Sequence, residues 1–289
     1  MQPVLAVHNL VKTYPSFQLK NVSFELQPGK IMGFIGRNGA GKTTTIKSML
    51  NLVRPDGGSV QFFGLDMNTH EMEIKQRLAF IFGAANYYAQ SKIKTITSVY
   101  RRFYRRWDEP LYQSYLQRFG LDPEKKIKQL SQGMSIKYAL ALALSHHAEL
   151  LILDEPTSGL DPVSRDELLT IFENIVDQEG VSIFFSTHIT SDLDKNADEI
   201  TYIKDGEIVT SQAKDSLIAS YRMVEGDANL LPVTLKERLI GYHERKGQFS
   251  GLARAADARD LSGLRVLPAD LESIMICTER KEANEQPAA

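Results

Sequence analysis

The stretch IMGFIGRNGAGKTTTIKSML, residues 31–50, reads as a strand, a glycine-rich loop and a helix. Ile31 to Ile35 is a short apolar run, and Ile46, Met49, Leu50 and Val53 then recur at helical spacing before Arg54-Pro55-Asp56-Gly57-Gly58 forms a turn. Between strand and helix, Gly36-Arg37-Asn38-Gly39-Ala40-Gly41-Lys42-Thr43 fits the pattern GxxxxGK followed by Ser or Thr. Small residues there let successive backbone N–H groups converge on phosphate oxygens, and the helix N-terminus adds partial positive charge. Lys42 is expected on the β- and γ-phosphates, the Thr43 hydroxyl on Mg²⁺, and Thr44 as a further phosphate donor. A loop that merely turned a strand into a helix would require neither Lys42 nor Thr43.

Working outward, Leu5 to Val7 and Val22 to Leu26 read as small strands. A helical stretch from Ser135 to Ala148 leads into Leu150 to Leu153, a continuous apolar strand of the kind buried on both faces in a parallel sheet. Residues 163–177 read as an amphipathic helix ended by Gly180, followed by the apolar strand Val181 to Phe185. This alternation predicts an α/β fold with helical cover. Asp205-Gly206, within Tyr202 to Val209, signals a hairpin. Asp154 and Glu155 end the apolar strand, where the ligand crevice of an α/β sheet lies. Asp154 suits Mg²⁺, and Glu155 suits the base that orients and deprotonates an attacking water.

The 289 residues, 43% hydrophobic and 24% charged, exclude wholesale disorder and fit one large domain or a domain with an appendage. A net charge of −2 gives no global positive field for a polyanion, so no nucleic-acid partner is expected. With one cysteine, Cys277, the chain has no intrachain disulfide, which suits a reducing compartment, and Cys277 is expected to serve packing. No apolar run approaches the length of a membrane span and no secretory leader is evident, so action at a membrane implies another chain that crosses it.

Three further motifs carry a resemblance. Leu130-Ser131-Gln132-Gly133-Met134 before a helix resembles the signature sequence of ABC-type ATPases. Ser158-Gly159-Leu160-Asp161 is similar to their D-loop, Ser186-Thr187-His188 to the segment carrying their switch histidine, and Tyr14 falls where the family stacks an aromatic ring on adenine. Together, and in the family's order, the motifs cover residues 1 to about 215. The resemblance implies a P-loop ATPase core of mixed sheet with helical cover, an antiparallel β subdomain and a helical subdomain at about 85–145. A small C-terminal domain is expected at 216–289, with a frayed tail from about 279. It further implies that two cassettes close around ATP, with Ser131 and Gly133 of one facing the γ-phosphate bound by the other. His188 would contact that phosphate near Glu155, and Asp161 would link the two sites. The implied partners are a second ATPase subunit and a separately encoded transmembrane permease, which would place the chain in the cytoplasm, peripheral to the inner membrane face. Gly133-Met134, His146-His147, Trp107-Asp108-Glu109 and the short C-terminal extension are similar to exporter ATPases of the bacitracin and Ytr type.

Two positions depart from the family pattern. Gly83 stands where a glutamine is usual after the strand Leu78 to Phe82, and Gln132 replaces the common glycine of the signature. The first motivates a rival reading as a nucleotide-gated subunit of low turnover. A second rival, a soluble ABC ATPase of translation or DNA repair, usually has two cassettes or a long coiled coil, for which the spacing from Lys42 to Ser131 leaves no room. Tyr100, Phe103, Tyr104 and Trp107 fall at helical spacing among Arg101, Arg102, Arg105 and Arg106, predicting a helix whose aromatic side packs inward. His146 and His147 are read as complementing the dipole at a helix C-terminus, and His70 and His243 as surface residues.

Overall fold

Alternating burial along the first strands and continuous burial along the later ones build two kinds of sheet in the computed structural model, which describes residues 2–82, 88–257 and 264–283. The chain forms two units, residues 1–192 with 196–211, and 193–195 with 212–289.

In the first unit, β1 (Leu5–Tyr14) and β2 (Phe17–Leu26) form a hairpin. After β3 (Ile31–Ile35) and α1 (Lys42–Met49), β4 (Gly57–Phe62) and β5 (Leu65–Asp66) complete an antiparallel sheet of order β2-β1-β4-β5. Next come α2 (Glu71–Arg77), β6 (Leu78–Phe82), α3 (Ile93–Tyr100), α4 (Glu109–Arg118) and α5 (Gln132–Ser145). They are followed by β7 (Leu150–Asp154), α6 (Pro162–Glu179), β8 (Ser182–Thr187), α7 (Thr190–Asn196), β9 (Glu199–Lys204) and β10 (Glu207–Ala213). The second sheet has order β10-β9-β3-β8-β7-β6, and β9, β3, β8, β7 and β6 run parallel. Every residue of β3, β7 and β8 is buried, as a strand covered on both faces requires. Phe24 of the antiparallel sheet meets Phe34 and Phe184 of the parallel one at centroid distances of 5.6 Å, joining the two sheets through one core. Asp205 and Gly206 turn β9 into β10 with φ of 46° and 79°, the left-handed pair that a two-residue hairpin demands.

The helical stretch differs from the sequence reading at one place. The aromatic residues 100–107 do not share a helix: α3 ends at Tyr100, a single tight turn spans Arg101–Phe103, and Tyr104 is extended. Gln76 of α2 holds this segment, donating to the Phe103 carbonyl (2.8 Å) and accepting from the Arg105 N–H (3.0 Å). Tyr104 then stacks on His146 at 3.8 Å, Tyr100 lies 6.0 Å from the same ring, and Phe103 is left 70% exposed. His146 therefore does not serve the helix dipole as a cation. It is fully buried, and burial pushes its pKa from 6.5 down to about 4, with the nearby His147 and Arg106 acting in the same direction.

This burial has a consequence for stability. Between pH 6.5 and about 4 the unfolded chain binds a proton that the folded chain refuses, so stability is lost as pH falls through that window. The loss amounts to about 3 kcal/mol when complete. Thermal unfolding from pH 7 to 4.5 is expected to show this component in the wild type and not in His146→Phe; parallel melting curves would contradict it.

In the second unit, α8 (Lys214–Ala219) precedes β11 (Tyr221–Asp227), α9 (Val233–Lys236), β12 (Ile240–Arg245), β13 (Gln248–Arg254), β14 (Arg265–Pro268) and α10 (Leu271–Ala283). The sheet is antiparallel, of order β12-β13-β11-β14, and Val224, Leu239, Phe249 and Ala253 form its core cluster. α10 buries Leu271, Ile274 and Cys277, and burial pushes the Cys277 thiol pKa up, so this cysteine packs as a small apolar group. α10 runs from Leu271 to Ala283.

Candidate nucleotide-binding site

Strand register assembles the site. Ile35 pairs with Thr187 across β3 and β8, and Asp154 pairs with Ser186 across β7 and β8. The loop leaving β3, the carboxylates leaving β7 and the histidine leaving β8 therefore share one edge of the parallel sheet.

Residues 36–41 wrap around the side chain of Lys42, which is 5% exposed. Its Nζ donates to the carbonyls of Gly36 (2.7 Å) and Arg37 (3.2 Å) and lies 3.1 Å from Glu155 Oε1. A side chain at Gly36 is excluded, since its Cβ would lie 2.3 Å from the Ile203 carbonyl oxygen. Gly41 has a φ of 112°, and a Cβ there would meet Phe17 Cζ at 2.8 Å. No side chain caps α1 at Gly41, which leaves its first N–H groups for an anion.

The acidic pair is fixed from β8. Asp154 accepts from Thr43 Oγ1 at Oδ2 (2.8 Å) and from Ser186 Oγ at Oδ1 (2.6 Å), while the Ser186 hydroxyl oxygen accepts from the Glu155 N–H (2.9 Å). Glu155 takes a left-handed φ of 51°, a conformation that costs a non-glycine residue about 1–3 kcal/mol and that this bond helps to hold. Glu155 Oε2 is 2.7 Å from His188 Nδ1. An ionised carboxylate only accepts, so Nδ1 carries the proton of that bond. Lys42, Glu155 and His188 thus form one polar chain. Behind it, buried Asp192 accepts from Thr157 Oγ1 (2.6 Å) and Thr187 Oγ1 (3.4 Å), and burial raises its carboxyl pKa.

A cavity of about 780 Å³ opens over this chain, lined by Asn38, Gly39, Gly41, Lys42, Thr43 and Thr44 on one side and by Glu155, Ser158 and His188 on another. Tyr14, Ser16 and Phe17 at the β1–β2 turn complete the wall. Tyr14 is 39% exposed at the cavity wall, with Lys12 Nζ 5.6 Å from its ring centroid. Gly36, Arg37 and Ala40 of the loop do not line the cavity; Gly36 and Arg37 supply carbonyls to Lys42, and Ala40 bonds through its N–H to the Arg37 carbonyl (3.1 Å).

A family model described as ABC transporter matches residues 19–158. The bacitracin transport ATP-binding protein BcrA of Bacillus licheniformis is 31% identical over 220 residues, 75% of this chain and 72% of BcrA. The chain belongs to the ABC transporter ATP-binding family. It is an ATPase subunit of an ABC transporter. The ABC transporter ATP-binding protein YtrB of Bacillus subtilis is 27% identical over 271 residues, covering 89% of this chain and 91% of YtrB, a share too large to be contained in the first unit. Among solved structures, the dimeric post-hydrolysis cassette MJ0796 bound to ADP and Pi superposes with a TM-score of 0.63 at 22% identity. That superposition covers 72% of this chain and 98% of MJ0796, a likeness of fold. Among the described residues, no helix is long and apolar enough to cross a membrane.

Besides Gly36, Arg37, Ala40 and Asp154, the expected residues Ser131, Gly133 and Asp161 do not line the cavity. Ser131 is exposed and caps α5, its Oγ accepting from the Met134 N–H (3.2 Å). Gly133 follows in the first turn of that helix. Asp161 caps α6, accepting from the N–H groups of Val163 and Ser164 at 3.0 Å each, and the Ser164 hydroxyl holds its carboxyl below the ordinary range. Gly83 falls outside the described residues. Conversely, Ser186 as the hydroxyl that joins the Asp154 carboxylate to the Glu155 backbone N–H, and Ser16, Phe17 and Ser158 as lining residues, were not singled out by sequence reasoning. Ser186 and Ser158 stood inside quoted motifs, but nothing local marks a small polar residue as a ligand of a carboxylate on the neighbouring strand.

Proposed function

We propose that two of these cassettes close around two ATP molecules and that hydrolysis drives a separate membrane permease, an exporter; the similarity to BcrA, a bacitracin transport ATP-binding protein, supports the reading. One observation carries this reading. The cavity gathers the phosphate cradle, Glu155 and His188, while the capped, exposed start of α5 with Ser131 and Gly133 lies elsewhere on the same chain, so each chain holds two complementary parts of a site. A second copy would bring its Ser131 and α5 N-terminus to the γ-phosphate held by the first.

The roles follow from the contacts. Lys42 and the loop N–H groups bind the β- and γ-phosphates, Thr44 adds a donor, and Tyr14 stacks on the adenine. Glu155 accepts the proton of the water that attacks the γ-phosphorus, giving ADP and inorganic phosphate; His188 orients Glu155 and contacts the γ-phosphate. The hydroxyl of Thr43 and the carboxylate of Asp154 are hard oxygen donors, 2.8 Å apart beside the cradle, the donor set that Mg²⁺ shares with substrate phosphates. Mg²⁺ held by these two residues would supply positive charge that neutralises the phosphates. Asp161 links the paired sites at their boundary. The chain would work at the cytoplasmic face, held at the membrane by the permease.

Light scattering tests the pairing. A non-hydrolysable ATP analogue with Mg²⁺ is expected to double the mass of the protein, and chelation of Mg²⁺ to prevent it. A mass that remains that of one chain under both conditions would overturn the sandwich.

A further inference from the structure

The signature residue that departs from the family pattern makes a contact that glycine could not. Gln132 opens α5, and its Nε2 donates to the carbonyl of Ser158, a residue that lines the cavity of the same chain. Its Oε1 also sits 3.0 Å from where a Cβ on Gly159 would be. Gly159 is itself held at a φ of 76°, so the loop is shaped to receive the amide. One turn further along, Lys137 Nζ lies 2.7 Å from Glu167 Oε1, which joins α5 to α6 beyond the loop. The Ser158 N–H in turn donates to the Glu155 carbonyl at 3.2 Å.

A short bonded path therefore runs from the backbone of Glu155 through Ser158 to Gln132, the neighbour of Ser131 and Gly133. Glu155 serves the ATP of its own chain, and Ser131 serves the ATP of the partner. We infer that Gln132 is a positioning residue that couples the two ATP sites, carrying the state of the Glu155–Ser158 segment in one cavity to the α5 terminus that closes the other. This rests on the two-cassette reading above. Without the amide donor, the loop and the start of α5 can shift independently, and occupancy of one site loses its hold on the geometry of the other.

The test compares wild type with Gln132→Met, of similar length but without a donor, and Gln132→Lys, which keeps an N–H donor of similar reach. Mg-ATP hydrolysis is measured over a range of ATP concentrations, and dimerisation with the non-hydrolysable analogue is measured in parallel. Wild type is expected to hydrolyse ATP cooperatively. Gln132→Met is expected to dimerise with the analogue while its Hill coefficient falls to about 1 and its kcat drops roughly fivefold or more, within the usual range of coupling between sites. Gln132→Lys is expected to regain both. Cooperativity unchanged in Gln132→Met, absent in wild type, or not regained in Gln132→Lys would overturn the coupling alone. Failure of wild type to dimerise with the analogue would overturn the two-cassette reading and the coupling with it.

Discussion

Glu155→Gln is expected to keep Mg-ATP binding and to lower kcat by about 10²–10⁴-fold, the usual contribution of a positioned general base. The amide has the shape of the carboxylate and retains an oxygen for Lys42 Nζ, 3.1 Å away, and its NH2 donates to His188 Nδ1, 2.7 Å away, once the ring proton moves to Nε2. The backbone bond from the Glu155 N–H to Ser186 Oγ is independent of the side chain, so the left-handed turn at position 155 survives. What disappears is the group that can take a proton from water. Removing a negative charge from the cavity wall also removes repulsion toward the triphosphate, so affinity is expected to hold or rise. Phosphate release and nucleotide titration on the same preparation separate the two effects. A variant with wild-type turnover would contradict the assignment of Glu155 as the base.

The parts of the fold that are legible in sequence are those whose cause is local. Gly36, Gly41 and Lys42 announce the cradle because close approach, a positive φ and a phosphate charge each demand a residue type at a fixed spacing. Leu150 to Leu153 announces a central strand because no polar residue interrupts it, and Asp205-Gly206 announces a hairpin because its turn needs two left-handed residues. The reading fails where a distant group decides. Tyr100, Tyr104 and Trp107 have helical spacing, yet Gln76 captures the backbone at 103–105 and draws the segment across His146. A pair of histidines at a helix end looks like a charge complement until a tyrosine from another segment covers one of them. The site divides in the same way. Its residues follow from motifs, whereas Ser186 bridging Asp154 and Glu155, and Gln132 reaching Ser158, depend on strand register and helix placement.

Lys42→Ala is expected to weaken nucleotide binding on the order of 100-fold, because hydrogen bonds from a charged donor are worth about 1.5–3 kcal/mol. Position 42 also matters to the protein alone, since the carbonyls of Gly36 and Arg37 lose a donor and Glu155 loses the nearest cation. A lower melting temperature without ligand would therefore say little about phosphate recognition. The decisive quantity is the shift that ligand produces. At a Mg-nucleotide concentration of about 100 times the wild-type Kd, binding stabilises wild type by about 2.7 kcal/mol. With a Kd raised about 100-fold, the same concentration stabilises the variant by only about 0.4 kcal/mol. For a protein of this size that is a rise of roughly 5–10 °C against about 1 °C. Equal ligand-induced shifts in the two proteins would show that the Lys42 ammonium, buried under its own loop, does not reach the phosphates.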